Sequence, residues 1–517
     1  MQGDEEATNI RVALASFLTI ALKGLSLMKI ASPKLDTSHL SANDAALRRC
    51  KSALDLKDKG DYKGARAIMD PLWKRVGQRP EIRGLHPSVA AEVLLCAGVL
   101  TGWIGSQVGI EGAQEAAKNL ITESISLYES IGDPHKVAGA RAELAYCYWR
   151  EGALDEARIM FNESLQKLTI EGNTRARALL RLAILEWSAS RYSDALKLLN
   201  DNAALFKKIA NHAVKGNYHN QLAMVLRNLA TSEKRDDYFQ EAISEFEKAD
   251  QEFRLAHNIT LRAAVKNNLG FLLFKLSRFD EAHIYVAEAR RLAVTVRDRV
   301  SAAQFDDTRA QILIAERELK QAEEVARHAV KVLGNSGHQC LLADSLITHG
   351  IALARLGKRE QAQFTFQRAM EVAHQVGALN KAGLAALTLV EEIDDLAPEF
   401  ADQLYDRATE WLAKSQSQEV FLRVIAASKK IRVAVRGELD AEDATQAILK
   451  TSGDLPSKVL EFEGILIRQA LAKVDGRLTQ AASLLGVSYQ ALAYILEGRQ
   501  KDLLKDRSPI RRRSPKK

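Results

Sequence analysis

Seven alanines, Ala117, Ala157, Ala195, Ala242, Ala282, Ala322 and Ala362, follow one another at steps of 40, 38, 47, 40, 40 and 40 residues. A spacing kept over that distance marks a chain built by repeating one unit, each burying its apolar face against the next. Around the anchors a second pattern recurs. A large apolar residue often stands three before the alanine, another usually four after it, and a small one often seven after it. Phe239-Ala242-Phe246-Ala249 and Phe279-Ala282-Val286-Ala289 carry it in full, and Ala362-Phe366-Ala369 departs only at Arg359. Positions i, i+4 and i+7 share one helix face, and small alternating with large lets helices interlock at about 8–10 Å. The preceding helix ends in a turn at Trp149-Arg-Glu-Gly152, Leu276-Ser-Arg-Phe279 and Leu356-Gly-Lys-Arg359. Each unit therefore reads as a helical hairpin. Ala65 is an earlier, irregular member, and the 47-residue step is expected to hold an insertion near Lys234 to Asp237.

Composition agrees with this reading. A chain of 517 residues is too long for one compact core unless it grows in one dimension. Nine prolines, 6% aromatic residues and abundant Ala, Leu, Glu, Lys and Arg favour helix throughout. The expected class is all-α. Cys50, Cys96, Cys147 and Cys340 are widely separated and have no histidine at metal-ligand spacing, so they read as reduced core residues of a cytoplasmic protein, with no metal and no cofactor expected. The start, MQGDEEATN, is acidic where a secretory leader would be basic. The membrane candidate is Val12 to Ala31. Its Lys23 and Lys29 would each cost about 2.5 kcal/mol or more near mid-bilayer, so an amphipathic helix on the first repeats is expected and no membrane partner.

Charge is segregated. Pro456 to Lys517 holds 13 basic and 6 acidic residues, a net of +7 that equals the whole-chain value; Met1 to Leu455 balances 60 against 60. TSGDLPS, Thr451 to Ser457, clusters turn formers and reads as a linker before a new unit.

The hairpins resemble the tetratricopeptide repeat. Leu269-Gly270 with Phe279 and Ala282, and Gly350 with Ala362, Phe366 and Ala369, carry the likeness, which extends over about Asn43 to Ser415. The period, about 40 residues, is longer than that family's usual unit. The resemblance implies an α-solenoid of about eight or nine hairpins that binds a protein or peptide in a groove lined by the first helix of each pair. Positions just before the Leu-Gly-like pair read Glu143, Arg181, Gln221, Asn268 and His349, polar and varied as a groove would be. Lys215, Asn217, Asn220, Lys266, Asn267 and Asn268 form a candidate clamp for a peptide carboxylate, because lysine and asparagine both donate to oxygen acceptors.

Beyond the linker, Leu460, Ile467, Ala470, Leu471 and Val474 recur at roughly helical spacing, predicting a first helix from about Ser457 to Val474. Asp475-Gly476 stops it, Gly476 taking the left-handed cap. A second helix is expected from about Thr479 to Leu485, a tight turn at Gly486, and a third helix capped by Ser488 and running to about Leu496. Two helices joined by a short glycine turn have the spacing of a helix-turn-helix. Ala482, Leu485, Val487, Leu492 and Leu496 would form its core.

These residues resemble the Fis-type helix-turn-helix of bacterial regulators, over about 45 residues. Ile467, Ala470-Leu471, Gly476, Thr479, Ala481-Ala482, Leu485-Gly486-Val487-Ser488, Leu492 and Leu496 fall where that family has its core and turn. The resemblance implies Thr479 and Gln480 against phosphate, and Ser488, Tyr489, Gln490, Ala493 and Tyr494 in or beside the major groove of DNA, with a homodimer reading paired half-sites. The family commonly has arginine at the positions of Gln480 and Tyr489, and basic residues near Ala493, Tyr494 or Ile495. Arginine is among the strongest readers of base edges, so its absence argues against strong sequence discrimination. Gln490 can pair with adenine and Tyr489 can reach phosphate or base. Arg477, Arg499, Lys501 and Lys505 are expected along the backbone. The tail RSPIRRRSPKK, with Arg511, Arg512 and Arg513, is too basic to pack and would add affinity through counterion release.

The domain expectation is an N-terminal amphipathic helix and linker over 1–42, the repeat array over 43–415, capping helices over 416–450, the linker 451–457, the helix-turn-helix over 458–504 and the basic tail 505–517. No P-loop, GxSxG, HExxH or Rossmann glycine pattern is found, so no enzyme is expected. Two functions follow. The first is a transcription regulator whose array takes a protein or peptide and whose terminal unit binds DNA; lacking a nucleotide-binding motif, it would need a partner to remodel polymerase. The second is a scaffold or adaptor whose terminal unit does not bind specific DNA.

Overall fold

The computed structural model describes residues 35–108, 110–393, 396, 398–413, 415, 418–431 and 454–506. The expected amphipathic helix at Val12 to Ala31, the Thr451 end of the expected linker and the basic tail from residue 507 lie outside the described residues. Among the described residues every regular element is a helix. The chain packs as two compact units, Met1–Ala178 and Leu179–Lys517.

The first unit holds α1 (Ala42–Asp58), α2 (Tyr62–Met69), α3 (Pro87–Val108), α4 (Ala113–Ser130), α5 (Pro134–Arg150) and α6 (Leu154–Lys167). Side-chain caps start several of these: Ser41 accepts from the Asp44 amide, Asp61 from Gly64 and Asp133 from Lys136, with Pro134 in the first helical turn. The segment Pro87–Ser106 of α3 is long and apolar enough to cross a membrane, but 78% of it is buried by neighbouring helices. Its Val93, Leu94, Ala97 and Leu100 are sealed in the same core as Ala53, Ala65 and Trp73, so α3 is the hydrophobic centre of this unit. Uniform apolarity is what a helix covered on most sides requires.

In the second unit, α7 (Asn173–Ser188), which spans the division, is followed by α8 (Tyr192–Asp201), α9 (Ala203–Lys208), α10 (His212–Glu233) and α11 (Asp236–Leu255). Then come α12 (Ile259–Lys275), α13 (Phe279–Thr295), α14 (Arg299–Ala315), α15 (Leu319–Gly334), α16 (Gln339–Arg355) and α17 (Arg359–Gln375). The array ends in α18 (Leu379–Glu392), α19 (Pro398–Trp411) and α20 (Gln418–Ile431). All seven anchor alanines, and Ala65, are fully buried at 0% exposure. An added Cβ on Gly270 would lie 2.7 Å from a Val286 methyl, and one on Gly350 would lie 2.8 Å from the Phe366 ring. Those two glycines therefore let the first helix of a hairpin touch the second.

The turns follow a period of half a unit. His257, Ser277, Arg297, Arg317, Gly337, Gly357 and Gly377 stand 20 residues apart and all have positive φ. After six of them, all but Gly337, the next amide reaches back to a carbonyl five residues earlier: Asn258 to Phe253 at 3.0 Å, and Arg278 to Leu273, Asp298 to Ala293, Glu318 to Leu313, Lys358 to Leu353 and Ala378 to Ala373 at 2.9 Å. This is the left-handed helix stop, and it occurs both within hairpins and between them. The 47-residue step differs from its expected form. Lys234 makes a short left-handed turn, and the extra residues lengthen the helices on either side, α10 to 22 residues and α11 to 20, against 17 in α12 and α13. Helix absorbs the insertion because its new backbone groups are then paired within the helix.

The C-terminal unit comprises α21 (Leu455–Lys473), α22 (Leu478–Leu484), α23 (Tyr489–Glu497) and a 3₁₀ turn, Lys501–Asp506. The first helix begins two residues ahead of the expected Ser457, because Asp454 caps it and Pro456 fits its first turn. The three-helix unit does not hang free. Leu455 and Phe462 of α21 share one buried cluster with Leu404 and Tyr405 of α19 and Phe421 and Val424 of α20.

Candidate nucleic-acid interface and partner groove

The small C-terminal core consists of Ile467, Ala470, Leu471, Ala481, Ala482, Leu485, Leu492, Leu496 and Leu503. Alanine at 481 and 482, at 0% and 2% exposure, brings α22 close to its neighbours. Gly476 has φ 74° and Gly486 φ 67°; the Gly476 amide bonds to Leu471 O at 2.8 Å and the Val487 amide to Ala482 O at 2.9 Å. Ser488 accepts the Ala491 amide at 3.1 Å and starts α23. Because α23 is only nine residues long and is anchored by Leu492 and Leu496, with Ile495 packed beside them, its Tyr489, Gln490 and Tyr494 remain exposed.

Thr479, Gln480, Ser488 and Gln490 are exposed, Tyr489 is 50% exposed and Tyr494 79%. The two starts, of α22 and α23, thus present polar side chains at the positive ends of their helices, an arrangement that suits phosphate. Arg477 is exposed, bonds through Nε to Val474 O at 3.0 Å and lies 3.7 Å from Asp475. Lys501 and Lys505 are exposed on the 3₁₀ turn. Arg499 is held by Glu463: its Nε and Nη2 donate to the two carboxylate oxygens at 2.8 and 2.6 Å, and that pair raises its pKa. Arg468, which sequence reasoning passed over, is exposed and 3.9 Å from Asp506. Arg511, Arg512 and Arg513 lie outside the described residues. Residues 454–506 contain seven basic and seven acidic residues, so the excess positive charge belongs to 507–517, with six basic residues and no acidic one.

The candidate groove residues come from the first helices of successive hairpins. Asn220 of α10 and Asn268 of α12 meet, the Asn268 amide donating to Asn220 Oδ1 at 3.3 Å. Gln221 and Asn267 are 6% and 8% exposed, and Gln221 Nε2 and Asn267 Oδ1 have no hydrogen-bond partner. Asn217 turns inward on its own helix, donating to Ala213 O at 2.8 Å. Lys266 is buried and ion-paired with Glu288 at 2.7 Å and Asp250 at 3.4 Å. Lys215 is half-buried on α10. Arg181 is buried on α7, and Glu143 belongs to α5 of the first unit. His349 sits on α16 with Nε2 3.2 Å from Glu323, and burial holds its pKa below the usual histidine value despite that carboxylate.

Sequence reasoning missed Asp307, 40 residues on from Asn267. It is 7% exposed on α14 and accepts from Gln311 at 2.9 Å. Burial pushes its pKa up to about 6, against the opposing pull of Thr348, Gln311 and Ser345. The 40-residue step was the available signal. A second missed group lies in the first unit. The Arg150 guanidinium rests 4.4 Å from the Trp103 ring centre and 4.7 Å from that of Tyr146, and Lys57 Nζ 5.3 Å from Trp103. Aromatics and cations scattered over three helices leave no local pattern to find.

The fold is thus a helical-repeat solenoid of tetratricopeptide type ending in a helix-turn-helix. Residues 459–497 match the family described as bacterial regulatory protein, Fis family, and carry a Fis-type helix-turn-helix domain. No curated protein matches the chain. Among solved structures, it is similar to a Rap protein complexed with competence and sporulation factor, at 15% identity and TM-score 0.39, covering 72% of this chain and 99% of that one. Aspartyl phosphate phosphatase F from Bacillus subtilis gives 14% identity and TM-score 0.37, covering 71% and 92%. A signal transduction ATPase with a tetratricopeptide repeat sensor from Pyrococcus horikoshii gives 13% and 0.36, covering 92% and 66%. Helix-turn-helix and helical-repeat domains are both non-enzymatic kinds of domain.

Proposed function

We propose that this chain is a cytoplasmic DNA-binding transcription regulator. Its array takes a protein or peptide partner, and its C-terminal unit contacts DNA as a homodimer on paired half-sites. The observation that carries the reading is α23 itself. Within a Fis-type match it buries one edge, Leu492 and Leu496, and exposes Ser488, Tyr489, Gln490 and Tyr494 together. The tail supplies counterion-release affinity, and Gln490 and Tyr489 supply what base preference there is. In the array, Asn220, Gln221, Asn267 and Asn268 are the groups that would bond an extended backbone, two of them bearing polar atoms without partners. Lys266 would join them only by leaving Asp250 and Glu288.

One observation favours a second reading, an adaptor whose terminal unit touches protein. The folded unit carries no net charge over 454–506, which is unusual for a domain that must approach phosphate. Selection of bound fragments from genomic DNA, with the full chain and with Tyr489→Ala/Gln490→Ala/Tyr494→Ala, separates the two. The regulator reading expects enrichment of defined fragments that the triple variant loses. No enrichment by the full chain supports the adaptor.

A further inference from the structure

A cleft of about 700 Å³ opens among α13, α14 and α15, and none of the groove residues named above lines it. Its volume falls in the range of sites for small ligands, about 300–1,000 Å³. The reason for the opening can be read in the 40-residue register. Ala287 stands where the second helices of the neighbouring units carry Glu247, Arg327 and Gln367, so this unit has a methyl group where those three have a long side chain. At a second position, Leu269, 2% exposed in its own unit, is replaced 40 residues on by the exposed Arg309.

The lining divides by chemistry. Val286, Val294 and Leu313 give an apolar wall, and Val294 is 54% exposed. Of the cations, Arg290 is engaged by Asp306 at 2.6 Å, and His283 by Glu316 at 2.7 Å. Arg291 and Arg309 also line the cleft, are exposed, and make no ion pair among the described residues. Arg262, Arg278 and Arg355 of the same array, by contrast, each have a carboxylate partner. Two unneutralised guanidinium groups beside the exposed Val294, with Val286 and Leu313 buried behind it, suit a ligand with an anionic head and an apolar body. Guanidinium binds carboxylate and phosphate oxygens through paired, charge-assisted donors.

We infer that this cleft is a binding site for a small amphipathic oxyanion, with its carboxylate or phosphate head held by Arg291 and Arg309 and a short apolar chain against Val286, Val294 and Leu313. Head and chain act together. The arginines alone are open to water and salt, and the apolar wall alone is shallow, so neither part should suffice. The site is independent of the DNA and groove assignments.

The test is calorimetric titration of the full chain with octyl phosphate below its micelle concentration, beside inorganic phosphate and octanol. Saturable binding of octyl phosphate is expected, at least about tenfold tighter than either fragment, since each supplies half of the contacts. Arg291→Gln/Arg309→Gln should weaken it by about tenfold or more. Ala287→Glu should do the same while leaving the unfolding midpoint unchanged, because Glu247 and Gln367 are accommodated at the matching positions. Absence of saturable binding, or binding that survives both variants, would overturn the assignment. Phosphatidic-acid vesicles separate a free ligand from a membrane-borne one: no recruitment is expected, and recruitment lost in Arg291→Gln/Arg309→Gln would contradict a soluble ligand.

Discussion

The hairpin of α16 and α17 and the pair α22 and α23 are stopped by the same device. In each, a left-handed glycine, Gly357 or Gly486, is followed by an amide bonded five residues back at 2.9 Å, Lys358 to Leu353 and Val487 to Ala482. Their helices differ in length. Those of the hairpin have 17 residues each and bury Ala362, Phe366, Ala369 and Ala373 along one side; α22 and α23 have seven and nine. A long helix needs its neighbours along most of its face, and it spends its surface on the stack. A short one can be anchored by Leu492 and Leu496 and still offer its first turn to a partner. Turn chemistry sets where the chain reverses; helix length decides whether the second helix becomes core or interface.

Core truncation should produce the largest effects and show whether the two regions unfold together. Phe366→Ala removes a ring at 0% exposure and is expected to cost about 3–5 kcal/mol, read as a lower denaturant midpoint for the array. Leu492→Ala should cost about 2–5 kcal/mol but lose only the C-terminal unit, leaving most of the helical circular dichroism in place. A loss of the whole helical signal would mean that the seat of α21 on α19 and α20 makes them one cooperative body.

The next effect has the opposite sign and distinguishes the array by pH. Asp307 keeps its proton up to about pH 6 when folded, whereas an unfolded aspartate releases it near about 4. Between those values the folded chain binds more protons, so stability falls as pH rises through the window and levels off above about 6. Asp307→Asn is expected to remove that slope and to stabilise the array at neutral pH by about 2–3 kcal/mol, measured by denaturant unfolding across the window. The slope should be absent from a probe of the C-terminal unit.

Smaller effects sharpen the comparison. Arg499→Ala leaves Glu463, 8% exposed, without its bidentate partner and should cost about 1 kcal/mol in the C-terminal unit, with little change in DNA affinity. At the turns, Ser277 holds φ 58° where Gly357 holds 76° with no Cβ. Ser277→Gly is expected to gain about 0.5–1 kcal/mol, seen as a higher melting temperature. A loss there would mean the serine side chain contributes something at that turn beyond its backbone.

Much of this arrangement was legible because it depends on local or periodic signals. The alanine anchors are where close packing requires them, and Gly152, Gly357, Gly476 and Gly486 all take the left-handed conformation that glycine allows. What escaped depended on long-range neighbours. Ser277, Arg297 and Arg317 make the same turn as Gly357 without glycine, so a glycine search reveals only part of the 20-residue period. Arg499 reads as a free cation until Glu463, 36 residues away, is folded beside it. Leu455 reads as part of a linker and Phe462 stands outside the apolar set read for that helix, whereas both seat the unit on Phe421 and Tyr405. Leu460, placed among the apolar repeats of that helix, remains 39% exposed.

The most direct test is the salt dependence of binding to a selected DNA fragment and to random DNA, using the full chain, Arg511→Ala/Arg512→Ala/Arg513→Ala and Gln490→Ala. The account expects the tail variant to reduce the slope of log affinity against log salt by about 3 on both DNAs. Gln490→Ala should leave the slope unchanged and narrow the gap between selected and random DNA. A tail variant that keeps the full slope, or a Gln490→Ala chain that discriminates as well as the native one, would contradict the division of labour between tail and helix.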